Sequence, residues 1–342
     1  MTNSKIHMSI AVWLLFGLLF CPWKAEARTY RIGSASWMGW VPLEVAEALG
    51  LWSALGVDVK VENYDDVVMM QEALLVGTVD FCMSMGANLI WFHDHSHGVR
   101  ILADVDLSHG GDMIVVKKGM QFDSLGKGEK LPVGVYARYG ALHYFLHQYL
   151  KTQGRSISDV KVISLPAEDL AEQFIMGRLK AVVLFEPVVD SAIRLGGGQS
   201  VATSADYPGI IPEVISVMAD KLREFPREDV VAILRGWIRA VRWLQDPANQ
   251  KAFYDIINER LFFRLPDFSE EAIHGQLSRV VIHSPRELVA RNRPGGIFTS
   301  YLRDAARFLY EYEMVSRKIP PREIFVPEYL MEALRLEGEH VP

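Results

Sequence analysis

Two α/β lobes followed by a helical tail are what the chain predicts, on three observations. From residue 28 to 105, short apolar runs alternate with amphipathic stretches of helical period, the rhythm of a parallel sheet with helices on both faces. A polar, Gly-containing break at 106–112 precedes a second alternation that runs to about 218. After residue 226 the strand-like runs stop, and helical segments rich in Trp, Phe, Tyr and Arg follow. The expected layout is a first lobe at 28–110, a second at 111–214 and a return to the first lobe at 215–342. Two chain crossings between lobes make a hinge that can close on a ligand.

Residues 1–27 read as a secretory signal: a basic start at Lys5, an apolar core from Ile10 to Cys21 and small residues at Ala25 and Ala27, with the spacing of a cleavage site. The apolar run is short for a membrane span. Cys21 would suit a lipid anchor, but Phe20 stands where a small residue belongs. The net charge of −6, one unit more negative without the leader's Lys5, Lys24 and Glu26, argues against nucleic acid as a partner. Cleavage leaves Cys82 alone, so neither an internal disulfide nor a Cys-based metal site is expected. No cofactor is expected.

In chain order, a strand at 29–35 leads through Gly33-Ser34-Ala35-Ser36-Trp37-Met38-Gly39-Trp40 into a helix at 42–51. A strand at 57–61 follows, then a helix at 67–76 closed by Gly77, a residue suited to the left-handed position after a helix. Next come a strand at 79–83, a helix at 87–95 and a strand at 99–105. The second lobe has strands at 113–116, 131–135, 160–163 and 181–185, and helices at 140–152, 167–177 and 188–195. Gly196-Gly197-Gly198 lacks the Lys-Ser/Thr of a phosphate loop and reads as a flexible exit. The run 210–218 is extended, and tail helices are expected at 227–245, 248–259, 269–279 and 297–315.

In such sheets the ligand lies beyond the carboxyl ends of the strands, so those loops carry the candidates. Two Trp three residues apart, Trp37 and Trp40, form one wall, with Trp37 expected as the ligand contact. The stretch Ser84-Met85-Gly86-Ala87-Asn88 reads as a loop whose hydroxyl and amides can hold an acceptor, or in which Ser84 or Asn88 caps a helix. Tyr136 and Tyr139 can stack on a ligand, and Arg138 can grip a carboxylate or sulfonate or point to solvent. Glu186, after an apolar strand, needs a partner: an amine-bearing ligand or a protein cation. Tyr64, Asp65, Asp66, Asp106 and Asp112 complete the set. Asp65 can cap the following helix and Asp112 can anchor the hinge. Carboxylates among aromatic rings suit a cation or nitrogen heterocycle. His93, His95 and His97 sit at a helix end, where His complements the dipole. No nucleophile has an obvious base beside it; His109 and His143 are the nearest candidates for one.

With these residues in view, the chain resembles the periplasmic solute-binding proteins of ABC importers, in the branch serving nitrate, sulfonates and thiamine-pyrimidine precursors. The resemblance lies in PLEVAEALGLW, GVDV, ALLVGTVDFCMS, DSLGKGEKLPVGV, GALHYFL, LPAEDLAEQFIMGRLKAVVLFEPVVDSA and the helical tail. It implies a type II periplasmic binding fold, no catalysis, a monomer, and delivery of a small solute to a membrane permease. By position it implies a ligand shell of Trp37, Trp40, Ser84, Met85, Asp106, Tyr139, Gly140, Ala141 and Glu186. Two departures matter. Tyr139-Gly140 stands where sulfonate binders place a Gly-Ser/Thr pair, and Glu186 stands where anion binders often place an aromatic. Both favour an amine or aminopyrimidine-like solute. A sulfonate, nitrate or carboxylate held by Arg138 and Ser84 is the alternative, and an enzyme acting on a pyrimidine skeleton is a third.

Overall fold

The computed structural model describes residues 28–96, 98–120, 130–136, 140–261 and 269–341. Residues 1–27, read above as a secretory signal and including Cys21, and His97, Arg138 and Tyr139 therefore lie outside the described residues.

Eleven strands among the described residues form two sheets. The first holds β1 (Thr29–Ala35), β2 (Asp58–Tyr64), β3 (Phe81–Met85), β4 (Val99–Ser108), β10 (Pro212–Met218) and β11 (Val280–Ile282), in the order β11-β4-β10-β3-β1-β2. The second holds β5 (Asp112–Lys117), β6 (Leu131–Val135), β7 (Val160–Ile163), β8 (Ala181–Phe185) and β9 (Gly198–Thr203), in the order β7-β6-β8-β5-β9. In each sheet the strand that has crossed over from the other lobe, β10 or β5, is inserted antiparallel to its neighbours. The chain therefore passes between sheets twice, from β4 to β5 and from β9 to β10. Ser108 and Ser204, one on each crossing, share a hydrogen bond of 2.7 Å.

Helices α1 (Val41–Ala48), α2 (Val67–Val76) and α3 (Gly86–His95) join the early strands of the first sheet. Helices α4 (Ala141–Thr152), α5 (Ala167–Ile175) and α6 (Val188–Arg194) serve the second. The tail supplies α7 (Ala219–Glu224), α8 (Arg227–Leu244), α9 (Gln250–Arg260), α10 (Glu270–Leu277), α11 (Pro285–Asn292), α12 (Ile297–Glu311), α13 (Pro321–Ile324) and α14 (Glu328–Leu336). It is locked to the first lobe. Trp52, 2% exposed, donates to the Ile233 carbonyl at 2.9 Å, and only glycine at 236 leaves room for that indole. Asp104, fully buried on β4, pairs with Arg291 at 2.7 Å, and its main chain bonds Asn292 through both N–H and C=O.

Several boundaries differ from the expectation. The helix expected at 42–51 is α1, which ends at Ala48, and β3 runs two residues beyond its expected end. Ser84 and Met85 are thus strand residues joined directly to α3, not parts of a loop. Asp66, not Asp65, caps α2, accepting from Val68 at 2.6 Å and Met69 at 3.2 Å. The glycine triple is no exit: Gly198 opens β9, where a Cβ would lie 2.6 Å from Val115. Strands also do not stop at 226, because β11 pairs with the end of β4.

Candidate functional site

Between the two sheets lies a cavity of about 210 Å³. Its walls come from the carboxyl ends of β1, β3 and β8, from the residues after β2 and β6, and from Asp112 on β5 and Glu213 on β10. Larger hollows exist, one of about 390 Å³ between α8, α9 and α10 and one of about 810 Å³ between α2, α3 and the segment before α5. None of the buried side-chain polar atoms that lack a partner among the described residues lies on either of them, whereas Trp40 Nε1, Asp112 Oδ1 and Glu213 Oε2 belong to residues lining the smaller cavity. Converging unpaired polar groups on an apolar wall are the usual mark of a ligand site.

The Trp loop forms the first wall. The chain leaves β1 at Ala35, whose carbonyl accepts from Trp37 N at 2.7 Å, and winds through one 3₁₀ turn at Met38–Trp40 into α1. Pro42 fits the first helical turn, where no N–H is needed. Both indoles line the cavity. Trp37 Nε1 donates to Asp106 Oδ1 at 3.1 Å. A Cβ at Gly39 would run into that carboxylate and sit 2.6 Å from Trp37 Nε1, so glycine here admits a side-chain carboxylate. Tyr136 and Phe185 face the indoles from the second lobe, their rings 5.0 Å apart.

The floor is acidic at Asp112 and Glu213, and Asp106, which does not itself line the cavity, lies beside Glu213. Asp106 on β4 lies opposite Glu213 on β10, and Glu213 in turn lies opposite Met85 on β3. Asp106, Asp112 and Glu213 are at most 2% exposed. One oxygen of each, Asp106 Oδ2, Asp112 Oδ1 and Glu213 Oε2, has no partner among the described residues. Burial pushes Asp112 up to about 7, with Ser108 pulling weakly the other way. Burial also drives Glu213 well above the usual carboxylate range, and repulsion from Asp106, Asp112 and Asp104 drives it further. Asp106 is raised by burial too, against the hydrogen bond from Trp37. Like charges directly opposed across a sheet are unfavourable, and these three await positive charge or protons. Among the described lining residues there is no Lys, Arg or His, while Asp65, Asp66 and Glu168 add further acid.

The other expected residues fall in different places. Met85 lines the cavity and is 7% exposed. Ser84 does not reach it: its hydroxyl is fully buried and accepts from Gln71 Nε2 at 2.7 Å. Tyr64, at the end of β2, is outside the lining, although Asp65 and Asp66 after it belong to it. Glu186 forms an ion pair with Arg279 from the tail, a protein cation of the kind expected as one of its two partners. Gly140 and Ala141 open α4, but the Ala141 amide donates to Asn88 Oδ1 of α3 at 2.8 Å. Asn88 therefore caps a helix of the opposite lobe, in the position an anion would take. A second bond across the cleft runs from Tyr136 OH to Asp66 Oδ2 at 3.2 Å. His93 and His95 join no group arranged for a metal, and none occurs among the described residues. Cys82 is buried, its thiol pushed up to about 12 by desolvation.

Glu213, Glu168 and Gln276 were not singled out from the sequence. Glu213 had one signal, a lone carboxylate inside the apolar run Pro212-Glu213-Val214-Ile215.

With the geometry described, comparison with known proteins fixes the family. The NMT1-like family model matches residues 23–258. No curated protein matches the chain. Solved structures share its fold, three of them as follows. The periplasmic nitrate-binding protein NrtA of Synechocystis superposes with a TM-score of 0.70 at 15% identity, covering 92% of this chain and 90% of its own. The ligand-binding component of an ABC-type import system of Staphylococcus aureus, with zinc bound, gives 0.70 at 14%, covering 90% and 99%. The alkanesulfonate-binding protein SsuA of Xanthomonas axonopodis, bound to MOPS, gives 0.69 at 13%, covering 88% and 99%. The chain belongs to the NMT1-like family and carries the fold of the periplasmic binding proteins.

Proposed function

We propose that the protein is the periplasmic solute-binding component of an ABC importer, and that it captures a small nitrogenous cation, an amine or aminopyrimidine-like molecule, for delivery to a membrane permease. The role is binding and not catalysis, and a monomer suffices for it. Family membership and the fold shared with import-system binding proteins support the transport part. The ligand class rests on one observation: Asp112 and Glu213 bring unpartnered buried carboxyl oxygens to a cavity walled by Trp37, Trp40, Tyr136 and Phe185. A cation there offsets the burial of carboxylates and lies against ring faces, an attraction of about 2 kcal/mol when desolvated.

The alternative, an anion such as nitrate or a sulfonate, draws on what NrtA and SsuA bind. It would have to tolerate the acidic floor and displace Asn88 from the α4 amides. A thermal-shift panel decides between them. At 100 times Kd a bound solute adds about 2.7 kcal/mol of stability. Amines and aminopyrimidines are expected to raise the melting temperature. Stabilisation by nitrate or alkanesulfonates alone would overturn the ligand class.

A further inference from the structure

Away from the cavity, the lobes meet along a second seam, where α4 of the second lobe rests on α12 of the tail. Tyr144 lies edge-on to Tyr301 at 6.0 Å and tilted against Phe308 at 5.4 Å. One turn on, His147 stacks on Phe308 at 4.6 Å and meets Tyr312 at 5.2 Å. His143, 1% exposed, shares that face of α4 a turn earlier. A hydroxyl pair, Ser156 with Tyr312 at 3.1 Å, closes the far end. His147 Nδ1 is buried without a hydrogen-bond partner among the described residues. An ordinary interlobe contact would be polar and wet; this one is aromatic and holds the His147 imidazole, with His143 on the same face of α4.

We infer that the α4–α12 seam is an acid-sensitive latch, in which neutral His143 and His147 let the lobes close and their protonation loosens the closed form. The transport reading enters only in naming what opening would release. Burial holds His143 down, to about 4. His147 is lowered by burial and by Lys151 on its own helix, against Glu311 on α12, while Asp304 and Arg307 of α12 face Tyr144 beside it. Asn88 of α3, which meets the start of α4, carries no charge. A depressed imidazole stabilises the closed form above the solvated value and loses that stabilisation as pH falls. For His143, moving from about 4 when closed to 6.5 when solvated, the closed–open equilibrium shifts toward open by about 30-fold between pH 7.5 and pH 5. The carboxyls of the floor also titrate, and in the empty protein acid eases their burial, so the histidine contribution is read as a difference between variants.

The experiment is an interlobe distance measurement, by fluorescence energy transfer, on the ligand-free full-length mature chain from pH 7.5 to pH 5. It compares wild type with His147→Gln and with the double variant His143→Gln/His147→Gln. The expected result is that acidification favours the open form about 30-fold more in wild type than in the double variant, with His147→Gln in between. Should the double variant fail to fold, His147→Gln and the wild-type scan still decide. Identical pH responses in wild type and variants would overturn the latch. Because no solute is present, such a failure leaves the cationic-ligand reading standing, and a failed ligand screen leaves the latch standing.

Discussion

Replacing Asp112 by Asn tests the acidic floor most directly, because it separates the site's binding role from its cost to folding. Asp112 is 2% exposed, and its carboxyl is raised from 3.8 to about 7. A raised carboxyl favours the protonated native form. Its contribution is fully present below 3.8, declines as pH rises and is gone above about 7. Three units at 1.36 kcal/mol each amount to about 4 kcal/mol between pH 4 and pH 8. An asparagine stays neutral throughout. In the ligand-free protein, Asp112→Asn is therefore expected to gain stability relative to wild type as pH rises, by up to about 4 kcal/mol at pH 8. For a chain of this size that is roughly 8 °C in melting temperature. Thermal melts at pH 4 and pH 8 read it. The same variant should bind the cationic solute at least tenfold more weakly, a trade of stability against function familiar at binding sites. A variant-minus-wild-type difference independent of pH, or a wild type more stable than the variant at pH 8, would refute the reasoning.

Further outcomes follow from neighbouring features. Glu213→Gln should weaken binding of a cationic solute and flatten its pH dependence, which in wild type weakens as pH falls and the raised carboxyls of Asp112 and Glu213 protonate; calorimetric titration at pH 6 and pH 8 checks it. Gly39→Ala should cost about 1–3 kcal/mol by overpacking, since its methyl meets Asp106 and Trp37, measured by urea unfolding. Arg291→Ala should cost about 3–5 kcal/mol by leaving Asp104 buried with its charge largely uncompensated, in the same assay. Cys82 should resist a thiol reagent at pH 8 until the protein is denatured.

Most of the scaffold was legible because its signals are local. Helix α2 starts and stops where expected, with Gly77 at φ 76° closing it, since a cap is decided by a few adjacent residues. The alternation of runs gave both sheets. What escaped reading depends on pairing across distance. The edge strand β11 is three half-buried residues that become a strand only beside β4. Gly198 looked like a linker because nothing nearby says that Val115 will lie against it. At the candidate site, the Trp loop and the carboxyl-end rule pointed to segments that border the cavity. The partner of Glu186 could not be named, because Arg279 sits far along the chain in the tail. Glu213 stayed hidden because a strand buried on both faces reads as core whichever way one side chain points. Asn88 reads in the sequence as a helix cap or a ligand group, and only the fold shows that its carbonyl serves α4 across the cleft.

The hydroxyl pair between the two crossings has a mechanical consequence. Ser204 Oγ bonds Ser108 Oγ at 2.7 Å and also accepts the Gly110 amide at 2.7 Å, while Ser108 Oγ accepts the Asp112 amide at 3.2 Å. Two separate straps could shear past one another and let the lobes slide. Riveted at mid-length, they behave as a single torsion rod, which twists and bends about one axis but resists translation. Asp112 is clamped at the end of that rod, so the same rotation that opens the cleft turns an acidic wall of the cavity with it.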